Sequence, residues 1–169
     1  MIFVDPIMGD EGKLYNGVTP ATINSMREMI SVADLCFPNH TEACYLTDSE
    51  YNAKDVTKEE GFELIKKLRQ IGTKSVLITS IHIDGQPSVI GYNHRNDKYF
   101  SLPYNEIPVH FPGTGDIFSA ILIGHLLDDE PLIDSTQKAI DGVYKLIELN
   151  KENEDKNRGI PLEQYLDIL

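Results

Sequence analysis

At 169 residues, 41% hydrophobic and 25% charged, the chain has the make-up of a soluble globular protein and length for one domain with a sizeable core. Fifteen basic against 27 acidic residues leave a formal charge of -12, which argues against nucleic acid and anionic membrane as partners. No apolar run approaches the roughly 20 residues that span a bilayer, and no basic-then-apolar leader marks secretion. Cys36 and Cys44 lack metal or redox spacing and read as reduced packing thiols of a cytoplasmic protein.

Met1-Ile2-Phe3-Val4 predicts a short strand buried on both faces, stopped by Asp5-Pro6. Glu11 to Gly17 reads as a polar loop. Thr19-Pro20 is an N-cap with proline at the first helical position. Ile23, Met26, Met29, Ile30 and Ala33 then recur at helical spacing and predict one buried face. Residues 33–37 predict a second strand, ending at Pro38-Asn39-His40-Thr41-Glu42, where His40 is expected to face solvent. Residues 48–55 read as a polar connector. Thr57-x-x-Glu60 is a capping box for a helix that runs to Ile71 and stops at Gly72. Its Lys66, Lys67 and Arg69 read as a solvated face.

Ser75 to Ile81 is the clearest buried strand, rich in β-branched residues. Asp84-Gly85 predicts a hairpin turn into Pro87–Tyr92, and Lys98–Leu102 supplies a further strand. Ile117 to Leu127 is an apolar helix expected to bury against the sheet, and residues 132–149 are a longer amphipathic one. Residues 151–158 read as a charged loop and 161–169 as a terminal helix. His82, His94, His110 and His125 share no ligand spacing and carry no assigned role.

Four stretches carry chemistry. In Gly113-Thr114-Gly115-Asp116, glycines let the backbone approach a ligand closely, and the amides that open a helix suit an anion. A carboxylate beside such a cradle has a purpose if it accepts the proton of a hydroxyl attacking phosphorus; an ordinary turn with Asp116 as N-cap is the alternative. Asp5 and Asp10 lie at a strand's carboxyl end, where parallel α/β sheets bind ligands, and could hold phosphates and a hydrated cation; turn chemistry is the alternative. Asn39 and Glu42 are oxygen donors suited to magnesium, or equally an N-cap and its capping-box partner. Thr79-Ser80 could offer hydroxyls to a phosphate or simply end a strand.

Taken in this order, these motifs resemble those of the pyridoxal (vitamin B6) kinases of the ribokinase-like superfamily, over nearly the whole chain. The resemblance implies an α/β three-layer sandwich with a largely parallel central sheet, with residues 1–169 forming one partial kinase domain. It implies ATP-dependent phosphorylation of the 5'-hydroxyl of pyridoxal, pyridoxine or pyridoxamine, with Mg2+. It implies Asp116 as the catalytic base that also meets the substrate, and Gly113, Thr114 and Gly115 as the anion hole. It implies ATP contacts at Asp5, Asn39, Thr79, Ser80 and Thr114, and metal-side carboxylates at Asp10 and Glu42. Adenine would lie near residues 108–112 and the helix of 132–149.

The sugar kinases of the superfamily usually carry Ala where Thr114 stands, and hydroxymethylpyrimidine kinases often carry Cys where Asp116 stands, so the motif leans to the B6 kinases. Phe37 departs from the small or hydroxyl residue that many members carry before Pro-Asn. Members are also longer by about 100 residues at the amino end, a difference of domain scale, so the first strands and the lid are expected to be absent. The expected partners are ATP and a B6 vitamer, with neither nucleic acid nor membrane, and a homodimer at full length. The alternatives are a non-catalytic ATP-binding fragment and a hydroxymethylpyrimidine or sugar kinase of the same superfamily.

Overall fold

The computed structural model describes residues 1–52 and 55–168. Residues 53 and 54 of the expected connector and 169 of the expected terminal helix lie outside them. The chain forms two compact units, residues 1–104 and 105–169.

The first unit is built on a five-stranded sheet: β1 (Phe3–Val4), β4 (Leu35–Cys36), β5 (Ser75–Ile83), β6 (Gln86–Asn93) and β7 (Lys98–Pro103), in that spatial order. β1, β4 and β5 pair in parallel, and β6 and β7 each pair antiparallel with their neighbour. Four of the five strands therefore point the same way, with β6 alone reversed, which is the largely parallel α/β sheet the sequence implies. α1 (Pro20–Ser31), α2 (His40–Leu46) and α3 (Lys58–Ile71) complete the unit, α2 and α3 packing on β5.

Local signals account for most of these elements. Each of the three helices starts at a reciprocal capping box: Thr19 with Thr22, Asn39 with Glu42, and Thr57 with Glu60. Proline opens α1, where its missing N–H costs nothing. Asp84 and Gly85 both take positive φ, +50° and +80°, the left-handed pair a tight hairpin turn demands. β5 is buried on both faces through Val76, Leu77 and Ile78, as its run of apolar residues requires.

Other expectations are corrected. β1 is an outer strand, so Met1 and Ile2 are 66% and 49% exposed and only Val4 is buried. Met29 is 53% exposed although Ile30 beside it is fully buried, because α1 offers the core a narrow stripe. The expected loop at 11–17 contains half of a hairpin, β2 (Gly9–Asp10) with β3 (Lys13–Leu14). The basic side chains of α3 are partly engaged: Lys66 pairs with Glu63, Lys67 donates to Ser49 Oγ at 2.8 Å, and Arg69 stacks 3.6 Å over the Tyr92 ring. Cys36 and Cys44 are buried free thiols, which burial pushes up to about 12 and about 11.

In the second unit α4 (Thr114–Leu127) packs on α5 (Leu132–Asn150). Ile117, Phe118 and Leu122 of α4 are buried, while Leu127 at its end is 62% exposed. The segment expected as a terminal helix forms separate 3₁₀ turns at Leu162–Gln164 and Leu166–Ile168 instead. Buried Asn150 ties this tail to α5, its Oδ1 accepting from Tyr165 at 3.3 Å and its Nδ2 donating to Leu146 O at 2.8 Å.

Among the described residues no helix is long and apolar enough to cross a membrane.

Candidate active site

The parallel pairing of β1, β4 and β5 brings three of the expected nucleotide residues to neighbouring strand ends. Asp5 follows β1, Asn39 follows β4, and Thr79 lies in β5, forming a parallel bridge with Asn39. Thr79 N–H donates to Pro38 O at 3.0 Å, which locks the two segments together. The register of β5 against β6 then breaks between Ile78 and Ile81, where Ser80 is exposed with φ +52°. A serine in the left-handed region is strained, and bulges of this kind re-aim side chains beside functional sites. These are the carboxyl ends at which an open α/β sheet binds its ligands.

Asn39 and Glu42 do more than cap α2. Asn39 Oδ1 accepts from Glu42 N–H at 2.9 Å, and its Nδ2 donates to Gly9 O at 2.8 Å. Glu42 Oε2 accepts from Asn39 N–H at 2.9 Å, while its Oε1 accepts from Met8 at 2.8 Å and more loosely from Gly9 at 3.4 Å. Glu42 is 3% exposed. Burial pushes its carboxyl up to about 7, opposed by the backbone amides aimed at it. The capping-box reading of this pair is therefore the one the hydrogen bonds form, in a side chain whose oxygens hold three amides.

Magnesium favours oxygen ligands and keeps several waters, and the donors here suit it: carboxylates at Asp5, Asp10 and Glu42, and hydroxyls at Thr79 and Ser80. Among the described residues no three acidic, histidine or cysteine side chains converge on a ready-made cation site. A carboxylate has about four lone-pair positions, and three of those of Glu42 are taken by amides. Asp10 is exposed, its Oδ1 accepting from Glu11 N–H at 2.8 Å.

In the second unit Gly113 caps α4 with φ +86° and ψ 3°, a left-handed conformation that glycine adopts freely. The cap has no side-chain hydrogen bond, and the first intrahelical bond runs from Ile117 N–H to Gly113 O at 3.0 Å. The opening amides, those of Thr114, Gly115 and Asp116, are the ones a helix leaves without intrahelical partners. Asp116 is exposed at the third helical position and is not the cap, which sets aside the reading of this motif as an Asp-capped turn. Thr114 Oγ1 donates to Phe111 O at 3.4 Å, and a side chain at Gly115 would meet open space. The uncapped opening of α4 and the exposed Asp116 carboxylate therefore share the first turn of one helix.

Sequence reasoning missed what holds the strand-end loop in place. Thr41 Oγ1 accepts from Gly12 N–H at 2.8 Å, and Tyr45 donates its hydroxyl to Gly12 O at 3.3 Å. Their spacing of one helical turn was the available signal. His40, expected in solvent, is 4% exposed with its ring 4.8 Å from that of Tyr51. Burial, with a smaller contribution from His82, lowers it to about 4. A cleft of about 340 Å³ beside His40, lined also by Glu59, Glu63 and Lys67, contains none of the residues expected to bind nucleotide.

Comparison with known proteins is consistent across sequence and structure. The phosphomethylpyrimidine kinase family model matches residues 1–160. A pyridoxal kinase of Arabidopsis thaliana is 38% identical over 126 residues, covering 71% of this chain and 38% of its own. A solved structure from Bacteroides thetaiotaomicron VPI-5482, described as a candidate phosphomethylpyrimidine kinase and crystallised with pyridoxal, superposes with a TM-score of 0.86 at 36% identity. It covers 97% of this chain and 58% of its own. The pyridoxal kinase of Leishmania donovani in complex with ADP and pyridoxamine gives a TM-score of 0.78 at 27% identity, over 98% of this chain and 55% of its own. These matches cover 38% to 58% of the relatives' own length.

Proposed function

The chain belongs to the phosphomethylpyrimidine kinase family, and from that premise we propose that residues 1–169 act as the nucleotide-binding and phosphoryl-transfer part of an ATP-dependent kinase. Its acceptor is the 5'-hydroxyl of a B6 vitamer: pyridoxal, pyridoxine or pyridoxamine. The observation that carries this reading is the opening of α4, where Gly113 leaves the first amides without a side-chain cap and Asp116 stands exposed beside them. The vitamer is supported by the relatives crystallised with pyridoxal and with pyridoxamine, the nucleotide by the relative holding ADP.

Phosphoryl transfer asks mainly for positioning and charge stabilisation. Asp116 orients the acceptor hydroxyl and takes its proton, for which an exposed carboxylate is suited. The amides of Thr114, Gly115 and Asp116, at the positive end of the α4 dipole, stabilise the transferring phosphoryl group. Asp5, Asn39, Thr79 and Ser80 receive the nucleotide. Magnesium, when bound, would supply neutralisation of phosphate charge, and Asp10 and Glu42 are the carboxylates that would hold it. Full-length homodimerisation and a cytoplasmic location belong to the same proposal.

An assay of pyridoxal phosphate formation from ATP tests it, with Asp116→Ala expected to lose about 10²–10⁴-fold. Undiminished turnover in that variant removes the base assignment. A second reading, a nucleotide-binding module that turns over no acceptor, rests on the strand-end residues Asp5, Asn39 and Thr79 alone. Calorimetry with Mg-ATP and with pyridoxal separates the two: nucleotide binding without pyridoxal binding supports the module, and tight pyridoxal binding excludes it.

A further inference from the structure

The loop that carries Asp10 is too slight to hold itself. β2 and β3 contribute two residues each, with Gly9 opposite Leu14 and Asp10 opposite Lys13, and an isolated hairpin even of ordinary length is marginal in water. Its tip, Glu11-Gly12, turns with φ of +48° and +78°. The tip is gripped at both backbone polar groups of one residue: Gly12 N–H donates to Thr41 Oγ1 at 2.8 Å, and Gly12 O accepts from Tyr45 at 3.3 Å. Thr41 is 2% exposed, so its acceptor is not interchangeable with water. A side chain at Gly12 would come within 2.7 Å of the Tyr51 ring, which packs the tip from a further direction. Asp10 is two residues before this grip, its carboxylate already turned onto Glu11 N–H.

Resting on the kinase reading above, we infer that Thr41 is a positioning residue: by holding Gly12 it sets where Asp10 presents its carboxylate to a metal–nucleotide, with Tyr45 as the second hold. Losing the acceptor leaves the hairpin folded onto Glu42 and Asn39 through Met8 and Gly9 but frees its tip. The effect therefore falls on the metal-dependent part of nucleotide binding, not on the nucleotide contacts at the strand ends.

The test is calorimetry of ADP binding to the full chain with and without Mg2+, on Thr41→Val, Thr41→Ser and Tyr45→Phe. Valine keeps the shape and removes the acceptor; serine keeps it. The gain in ADP affinity that Mg2+ confers is expected to fall about five- to tenfold in Thr41→Val, the equivalent of one hydrogen bond, and about twofold in Tyr45→Phe. Serine restores it, and ADP affinity without Mg2+ stays unchanged. In an Asp10→Asn background Thr41→Val adds no further loss, since both act through one group. A full Mg2+ gain in both Thr41→Val and Tyr45→Phe overturns the inference, as does a serine variant as poor as valine, or a valine loss undiminished in the Asp10→Asn background. A wild-type chain whose ADP affinity ignores Mg2+ overturns the metal reading of Asp10 itself, and this inference with it.

Discussion

His40 offers a direct test of how this fold treats a polar residue at its core. The ring is 4% exposed, lies against Tyr51, and is held neutral, with burial lowering it from an ordinary 6.5 to about 4. Between those values the unfolded chain binds a proton that the folded chain refuses. Stability therefore rises with pH from about 4 to 6.5, is complete above 6.5, and is lost as the solution is acidified. The gap corresponds to about 3 kcal/mol. His40→Phe keeps an aromatic ring against Tyr51 and removes the titration. Urea unfolding followed by far-UV circular dichroism at pH 7.5 and pH 4 reads the difference. With a urea dependence of about 1–3 kcal/mol per molar, the wild-type midpoint should drop by about 1–3 M more than that of the variant. Parallel shifts in the two proteins would refute the reasoning, because acid sensitivity would then reside in other groups.

Glu42→Gln can accept from the Met8 and Gly9 amides or from Asn39, but not from both, a limit the protonated wild-type carboxyl shares, so at pH 4.5 it should cost under about 1 kcal/mol. Burial raises the wild-type carboxyl from 4.5 to about 7, so wild-type stability falls as pH rises through that window while the variant's does not, and the variant gains on the wild type; thermal melts across pH follow it. Gly113→Ala places a Cβ on a residue at φ +86° and should cost about 1 kcal/mol, whereas Gly115→Ala, which points into open space, should cost under about 0.5 kcal/mol. Chemical denaturation of the pair reads the contrast. Cys36 and Cys44 should react with a thiol reagent at pH 8 only once the chain is unfolded, because burial holds both thiols protonated and covered; fast labelling of the native protein would contradict this.

What was legible in the sequence is what short stretches decide alone. A capping box needs two residues three apart, so Asn39 with Glu42 and Thr57 with Glu60 could be read directly, and both form. Asp84-Gly85 specifies its turn by tolerance of positive φ, and β5 specifies its burial by an unbroken apolar run. The ordered motifs pointed to the kinase family without any coordinates, and the family match agrees. Contacts between distant segments were out of reach. Glu42 meets Met8 from 34 positions away and Thr41 meets Gly12 from 29, distances at which only the parallel pairing of β1, β4 and β5 makes them neighbours. His40 reads as a polar loop residue until the Tyr51 ring closes over it. Local composition chose the caps, turns and strands; tertiary packing chose which polar atoms would meet, and with them the loop that presents Asp10.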